Sequence, residues 1–279
     1  MPSNRERNDR KRPSAPGRSG HPTRADAAPS SRTHRGPRPR EDGANWVWGW
    51  HAVLAALANP DRESPSRLMV TPDKLNQLEG RLGVHAASLR AEPYDGHDIG
   101  RVLPSGAAHQ GVALQVAPPP SAELEALAAE PGLLVMLDGI TDPQNIGAVF
   151  RSAAAFGAKG VVLQERHAPA LGGAVAKASA GAIDAVPHAR VVNLSRALET
   201  LDDLGWRAVG LDGRAQETLE AVLDSRPTVL VLGSEGEGLR RLVAEHCDTL
   251  ARIPMPGGFE SLNVAATTAI ALYEASRPR

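Results

Sequence analysis

The second half of the chain is punctuated by short, unbroken apolar runs, above all Leu133–Leu137 (LLVML) and Thr228–Leu232 (TVLVL). A run that is apolar at every position, rather than at alternate ones, belongs to a strand covered on both faces. Gly160–Leu163, Arg207–Leu211 and Leu250–Ile253 read as further strands. Between them, Asn145–Phe156, Leu194–Leu204, Gly238–His246 and Leu262–Ala275 carry helical periodicity. Strand and helix in strict alternation predict an α/β domain, a parallel sheet flanked by helices on both faces. In such sheets ligands bind beyond the carboxyl ends of the strands.

The first half is organised differently. Residues 1–43 hold 11 Lys and Arg against 5 Asp and Glu, with abundant Pro, Ser and Gly and no apolar periodicity. This segment reads as a disordered basic tail, either a solubilising extension or an electrostatic arm for polyanions. The rest of the chain is acidic, so the overall charge of −1 conceals a strong asymmetry. From 46 to 117 a helix at His51–Ala58, a strand at Arg67–Val70, a helix at Asp73–Leu82 and a strand at Val112–Val116 describe a small mixed domain. The segment 118–130, opening with three prolines, reads as a stiff linker followed by a helix at Ala122–Ala129, and 131–279 as the main domain. Trp46, Trp48 and Trp50 either pack a domain edge or stack on bases.

Several chemistries are disfavoured. The single cysteine, Cys247, allows no internal disulfide and fits a reducing, cytoplasmic setting. No apolar run approaches the ~20 residues of a membrane span, and the basic N-terminus lacks the apolar core of a secretory signal. The nine histidines are scattered without HxxH or CxxC spacing, so no metal is expected. Dinucleotide (GxGxxG), Walker A and GxSxG patterns are missing.

Three segments remain, each beginning where a buried strand ends: DPQNIGAVFRSA (142–153), VLGSEGEGL (231–239) and IPMPGGFESLNVA (253–265). In the first, Asn145 sits at the start of a helix that carries Arg151; it is read either as a cap or as a site residue. In the second, three glycines in six residues allow a tight turn and close approach to a ligand, and two glutamates favour a neutral or cationic one over phosphate. In the third, Ser261 is a natural helix cap, leaving Asn263 to cap or to face a site. Each alone is compatible with an ordinary turn.

Taken together and in this order, the three segments resemble the signature motifs of the SpoU family of RNA 2′-O-ribose methyltransferases, within the SPOUT superfamily. KASAGA (177–182) is similar to the family's segment between the first and second motifs. The segment 46–117, with Gly49-x-His51-x-Val53 and His109-Gln110-Gly111-Val112, is similar to its small ribosomal-protein-like (L30e-like) RNA-binding domain. Ala265 departs from the serine that many relatives carry.

The resemblance implies a catalytic domain with a C-terminal trefoil knot, a feature that periodicity would not suggest. It implies S-adenosyl-L-methionine as cofactor, held at Gly233, Ile253 and Leu262, and a homodimer acting on RNA. It also implies a catalytic group of Arg151, Asn145, Glu235 and Asn263, with Asn145 and Asn263 orienting Arg151 and the ribose, and Glu235 fixing Arg151 or steadying its loop. Arg151 matches the residue assigned in the family as general base. Because guanidinium groups hold their protons so firmly, stabilising an alkoxide or gripping phosphate suits the residue better. The small domain favours the branch acting on 23S rRNA guanosine. Alternatives are a tRNA ribose methyltransferase, an rRNA adenosine resistance methyltransferase and a non-catalytic RNA-binding protein of the same fold.

Overall fold

A computed structural model describes residues 45–83, 91–258 and 261–278. The basic segment 1–43 lies outside the described residues. Two sheets organise the chain. The first is built from β1 (Trp46–Trp48), α1 (Trp50–Ala58), β2 (Arg67–Val70), α2 (Pro72–Leu82), β3 (Ala91–Pro93), α3 (Gly96–Arg101) and β4 (Val112–Gln115). Its strand order is β1-β4-β2-β3. β4 pairs antiparallel with both neighbours, Trp46 opposite Gln115 and Val70 opposite Val112, while β3 joins β2 in parallel. Helix α2 starts with Pro72 in its first turn and stops at Gly83, whose φ of 64° suits a glycine terminus. β1 and β3 are three-residue strands, too short to show alternation.

The second sheet follows a short helix α4 (Leu124–Leu127). Its elements are β5 (Leu133–Leu137), α5 (Pro143–Ala155), β6 (Gly160–Gln164), α6 (Gly173–Ala178), β7 (His188–Val191), α7 (Leu194–Asp203), β8 (Arg207–Leu211), β9 (Glu217–Thr218), α8 (Leu219–Val222), β10 (Thr228–Leu232), α9 (Arg241–Glu245), β11 (Thr249–Arg252) and α10 (Val264–Ser276). The order is β7-β6-β5-β10-β8-β11-β9, every adjacent pair parallel. Side chains alternate across a strand, so each apolar run feeds two cores. Val135, Leu137, Leu230 and Leu232 join Ile146, Val149 and Phe150 of α5 and Leu272 of α10 on one face. Leu134, Met136, Val229 and Val231 join Leu194, Leu198 and Leu201 of α7 on the other.

Several helix starts differ from the sequence reading, α5 among them, which begins at Pro143 rather than Asn145. The second motif opens no helix at Gly238: Gly236 and Gly238 have φ of 91° and 72°, and α9 begins only at Arg241. The last helix is capped by Asn263 rather than Ser261, the Asn263 side chain accepting from the Ala265 N–H at 2.9 Å.

The sheets share one apolar core, in which Val47, Val53 and Leu68 join Val175 and Ile183. A buried ion pair crosses the same junction. Arg62 donates from Nε and Nη2 to the two oxygens of Asp184 (2.5 and 3.1 Å) and from Nη1 to the Ala117 carbonyl (2.5 Å), and Asn59 donates to Asp184 at 3.1 Å. A forked guanidinium–carboxylate contact in which each guanidinium nitrogen has a partner is the arrangement that makes buried charge tolerable. Trp46 and Trp48 are buried, Trp48 lying against Gly173 of α6, so both pack rather than await a base. Trp50 is half-buried, with the Lys74 ammonium 5.2 Å from its ring centroid.

Candidate functional site

Helix α5 begins directly beyond the carboxyl end of β5. Asp142 is its cap, accepting from the Gln144 and Asn145 amides at 3.3 and 3.0 Å. Asp142, and not Asn145, is therefore the cap of α5, and the Asn145 side chain is left to make other contacts. Close packing fixes the helix laterally: a Cβ at Gly147 would stand 2.4 Å from the Ala178 Cβ and 2.8 Å from the Ser179 nitrogen.

The three motifs meet in one hydrogen-bonded cluster. Asn263 donates through Nδ2 to Asn145 Oδ1 (2.9 Å) and to Glu235 Oε1 (2.8 Å). Asn145 donates to the same glutamate oxygen at 3.4 Å, as does the Val264 backbone amide. Because the Asn263 Oδ1 caps α10, its amide orientation is set by the backbone. Glu235 therefore holds the two asparagines and the start of α10 rather than Arg151.

Arg151 stands on α5 six residues from Asn145, about 9 Å along the helix axis. It is exposed and makes no hydrogen bond or ion pair with a described residue. The structure thus groups Asn145, Glu235 and Asn263 and leaves Arg151 free alongside.

Gly233, Ile253 and Leu262 line a common cleft of about 730 Å³, whose walls also include Glu235, Ala251 and Val264. Its floor is the carboxyl ends of β8, β10 and β11, three adjacent strands. Such a volume suits a nucleoside-sized ligand. At Gly233 the requirement for glycine is steric: a Cβ would lie 2.1 Å from the Gly238 carbonyl carbon and 2.4 Å from the Leu239 nitrogen. Two carboxylates, Asp212 and Glu235, border the cleft. Of its arginines, Arg252 is engaged with the Ala215 and Gln216 carbonyls, and Arg214 lies against Asp212. The cleft's two carboxylates and two arginines balance in charge, and close backbone approach at Gly233 beside the apolar Leu211, Ile253 and Leu262 suits a nucleoside-sized ligand.

A support that sequence reasoning missed lies beneath this loop. Asp138, buried at the end of β5, accepts from Arg240 Nε at 2.6 Å and from the Arg240 backbone N–H at 2.8 Å. Arg240 also donates to Gln164 at 3.0 Å. The pair ties the 233–240 turn to the neighbouring strand across 102 residues of sequence. Elsewhere, burial, reinforced by Arg190 and Arg62, lowers the pKa of His188 to about 4, and burial first of all pushes the Cys247 thiol up to about 12. Neither group belongs to the cleft.

A parallel α/β sheet with a nucleoside-sized cleft over three strand ends, joined to an Asn–Glu–Asn cluster, defines a class of small-molecule-dependent α/β enzyme. The chain belongs to the SpoU rRNA Methylase family, which matches residues 132–273. It is 40% identical over 248 residues to the 23S rRNA (guanosine-2′-O-)-methyltransferase of Xanthomonas campestris pv. campestris, covering 84% of this chain and 96% of that one. It is 37% identical over 274 residues to a tRNA/rRNA methyltransferase of Mycolicibacterium vanbaalenii named as uncharacterized, covering 96% and 87% respectively. The AdoMet-bound rRNA methyltransferase of Sinorhizobium meliloti has a similar structure, with a TM-score of 0.69, 25% identity and coverage of 82% of this chain and 85% of that one.

Proposed function

We propose that this protein transfers the methyl group of S-adenosylmethionine to a ribose 2′-hydroxyl of RNA, namely a guanosine of 23S rRNA. The observation that carries this reading is the convergence of all three motifs on the Asn145–Glu235–Asn263 cluster beside the cleft containing Gly233, Ile253 and Leu262. The named activity of the Xanthomonas relative supports the choice of substrate. Such a substrate places the enzyme in the cytoplasm.

The bound cofactor supplies an electrophilic sulfonium methyl. The chain's own task is to hold a weak nucleophile in line with it. Asn145 and Asn263 position the ribose, and Glu235 locks both amides. Arg151, free of protein partners among the described residues, steadies the developing alkoxide or the adjoining phosphate. Tritium-methyl transfer from labelled cofactor to 23S rRNA tests the activity, with tRNA as the competing substrate. Arg151→Ala is expected to abolish transfer while cofactor binding by calorimetry persists; retained turnover removes the assigned role.

The reading extends to architecture. Residues 46–117 form the RNA-binding domain of ribosomal-protein-like type, 118–130 the linker and helix, and 131–279 the methyltransferase domain. The C-terminal segment closes a trefoil knot, supported by the position of β10 between β5 and β8 and by the packing of α10 back onto α5. Tracing the main chain through 233–278 in an experimental map decides it. Exposed Ile270 and Tyr273 on α10 and Leu262 at its entrance support a homodimer with the site near its interface. Sedimentation of the wild type against Tyr273→Asp tests that assembly.

A further inference from the structure

The junction between the two sheets contains a backbone anomaly. Gln110 has φ of 56°, the left-handed region, and is followed by Gly111 at 79°. A glycine at 110 would adopt this conformation without strain, so the side chain has to earn its place. Its Oε1 accepts two hydrogen bonds, from the Trp50 backbone N–H at 3.0 Å and from the Lys177 ammonium at 2.8 Å.

The two contacts meet at one oxygen and are linked through Gly49. Helix α1 starts at Trp50, and its cap position is Gly49, which has no side chain to accept the first amides. Gly49 is favoured by its backbone, with φ of 89°, and its missing side chain leaves room for the Lys177 ammonium, 2.5 Å from where a Cβ would stand. The glycine that admits Lys177 thus removes the helix cap, and Gln110 supplies it from another loop. The same oxygen then receives the lysine, a group from α6 in the second sheet's layer whose pKa burial lowers. α6 continues directly to the catalytic helix: Ala178, the next residue, fills the space at Gly147 of α5, between Asn145 and Arg151.

We propose that Gln110 is a positioning residue, joining α1 of the small sheet to Lys177 of α6 and so fixing the distance from the small domain's RNA grip to Asn145 and Arg151. This rests on the methyltransferase reading given above. The joint makes no contact with the cofactor cleft or the reacting atoms. Its loss leaves both ligands bound but the target ribose out of line, where displacements of an ångström are costly to rate.

Gln110→Gly separates positioning from folding, because it relieves the strained backbone while deleting the shared acceptor. Expected are an unchanged or raised Tm, cofactor affinity equal to wild type, and a kcat on saturating 23S rRNA about tenfold lower. Gln110→Glu, which keeps the acceptor, is expected to restore kcat. Wild-type kcat in Gln110→Gly would overturn the proposal, as would a fall in kcat matched by lost cofactor affinity. A second arm is independent of activity. Spin labels are placed at His97→Cys and Ala155→Cys in a Cys247→Ser background. Gln110→Gly should broaden their distance distribution; an unaltered distribution overturns the joint. Absence of methyl transfer by the wild type would remove the methyltransferase reading alone, with the distance arm still deciding the joint.

Discussion

Asn263 performs two tasks through one amide. Its oxygen caps α10 and its nitrogen gathers Asn145 and Glu235. Replacing it with alanine removes both, and the consequences separate by assay. Thermal or urea unfolding of Asn263→Ala is expected to report about 1 kcal/mol for the lost cap, whereas methyl transfer should fall by orders of magnitude. A variant with the stability loss but normal turnover would confine Asn263 to capping. Gly233 acts through what it lacks. Gly233→Ala drives a methyl group into the Gly238 backbone, so the expected outcome is loss of cofactor binding by calorimetry with residual folding by circular dichroism. Which residue caps each helix was the part of this arrangement not legible from spacing. Asp142 and Asn145 are both good caps, as are Ser261 and Asn263, and only the path of the backbone decides between them.

At the scale of elements, the interior strands were the most readable. β5 and β10 are apolar at nearly every position because both their faces are covered, and they emerge at the expected residues. β3, β7 and β9 were not readable: they sit at or next to sheet edges, are two to four residues long, and contain Glu, His, Arg or Thr. Contacts between distant segments leave no local trace either. Arg240 and Asp138 are each unremarkable in sequence, yet together they fix the turn that presents Glu235. Arg240→Ala deprives a buried carboxylate of its counter-ion, although the backbone amide contact remains. Denaturant unfolding should register a loss of about 2 kcal/mol, accompanied by weaker cofactor binding. A purely surface role predicts neither.

For the molecule as a whole, acid sensitivity has an identifiable source. His188 is buried at the edge of the α5 core, its ring 6.2 Å from that of Phe150, with a pKa near 4 in the folded state against an ordinary 6.5. The unfolded chain therefore takes up a proton between these values and the folded chain does not. His188 contributes stability that is complete above about pH 6.5 and declines as pH falls toward 4, by on the order of 3 kcal/mol in total. Urea midpoints measured across that window should drop for the wild type and less for His188→Gln. Overall architecture was legible because alternation implies layers; the fusion of the two sheets through Arg62 and Asp184 was not, since those residues stand 122 positions apart.

The placement of the tryptophans has an optical consequence. Three of the four lie between 46 and 50, at β1 and the start of α1, and the fourth, Trp206, is buried with its indole N–H on the Ala128 carbonyl. Intrinsic emission is consequently weighted toward one seam of the molecule, where Trp48 touches Gly173 and the Trp50 amide meets Gln110. With Trp206 replaced by phenylalanine, the remaining signal becomes a built-in reporter of that seam, able to follow RNA engagement without an added dye.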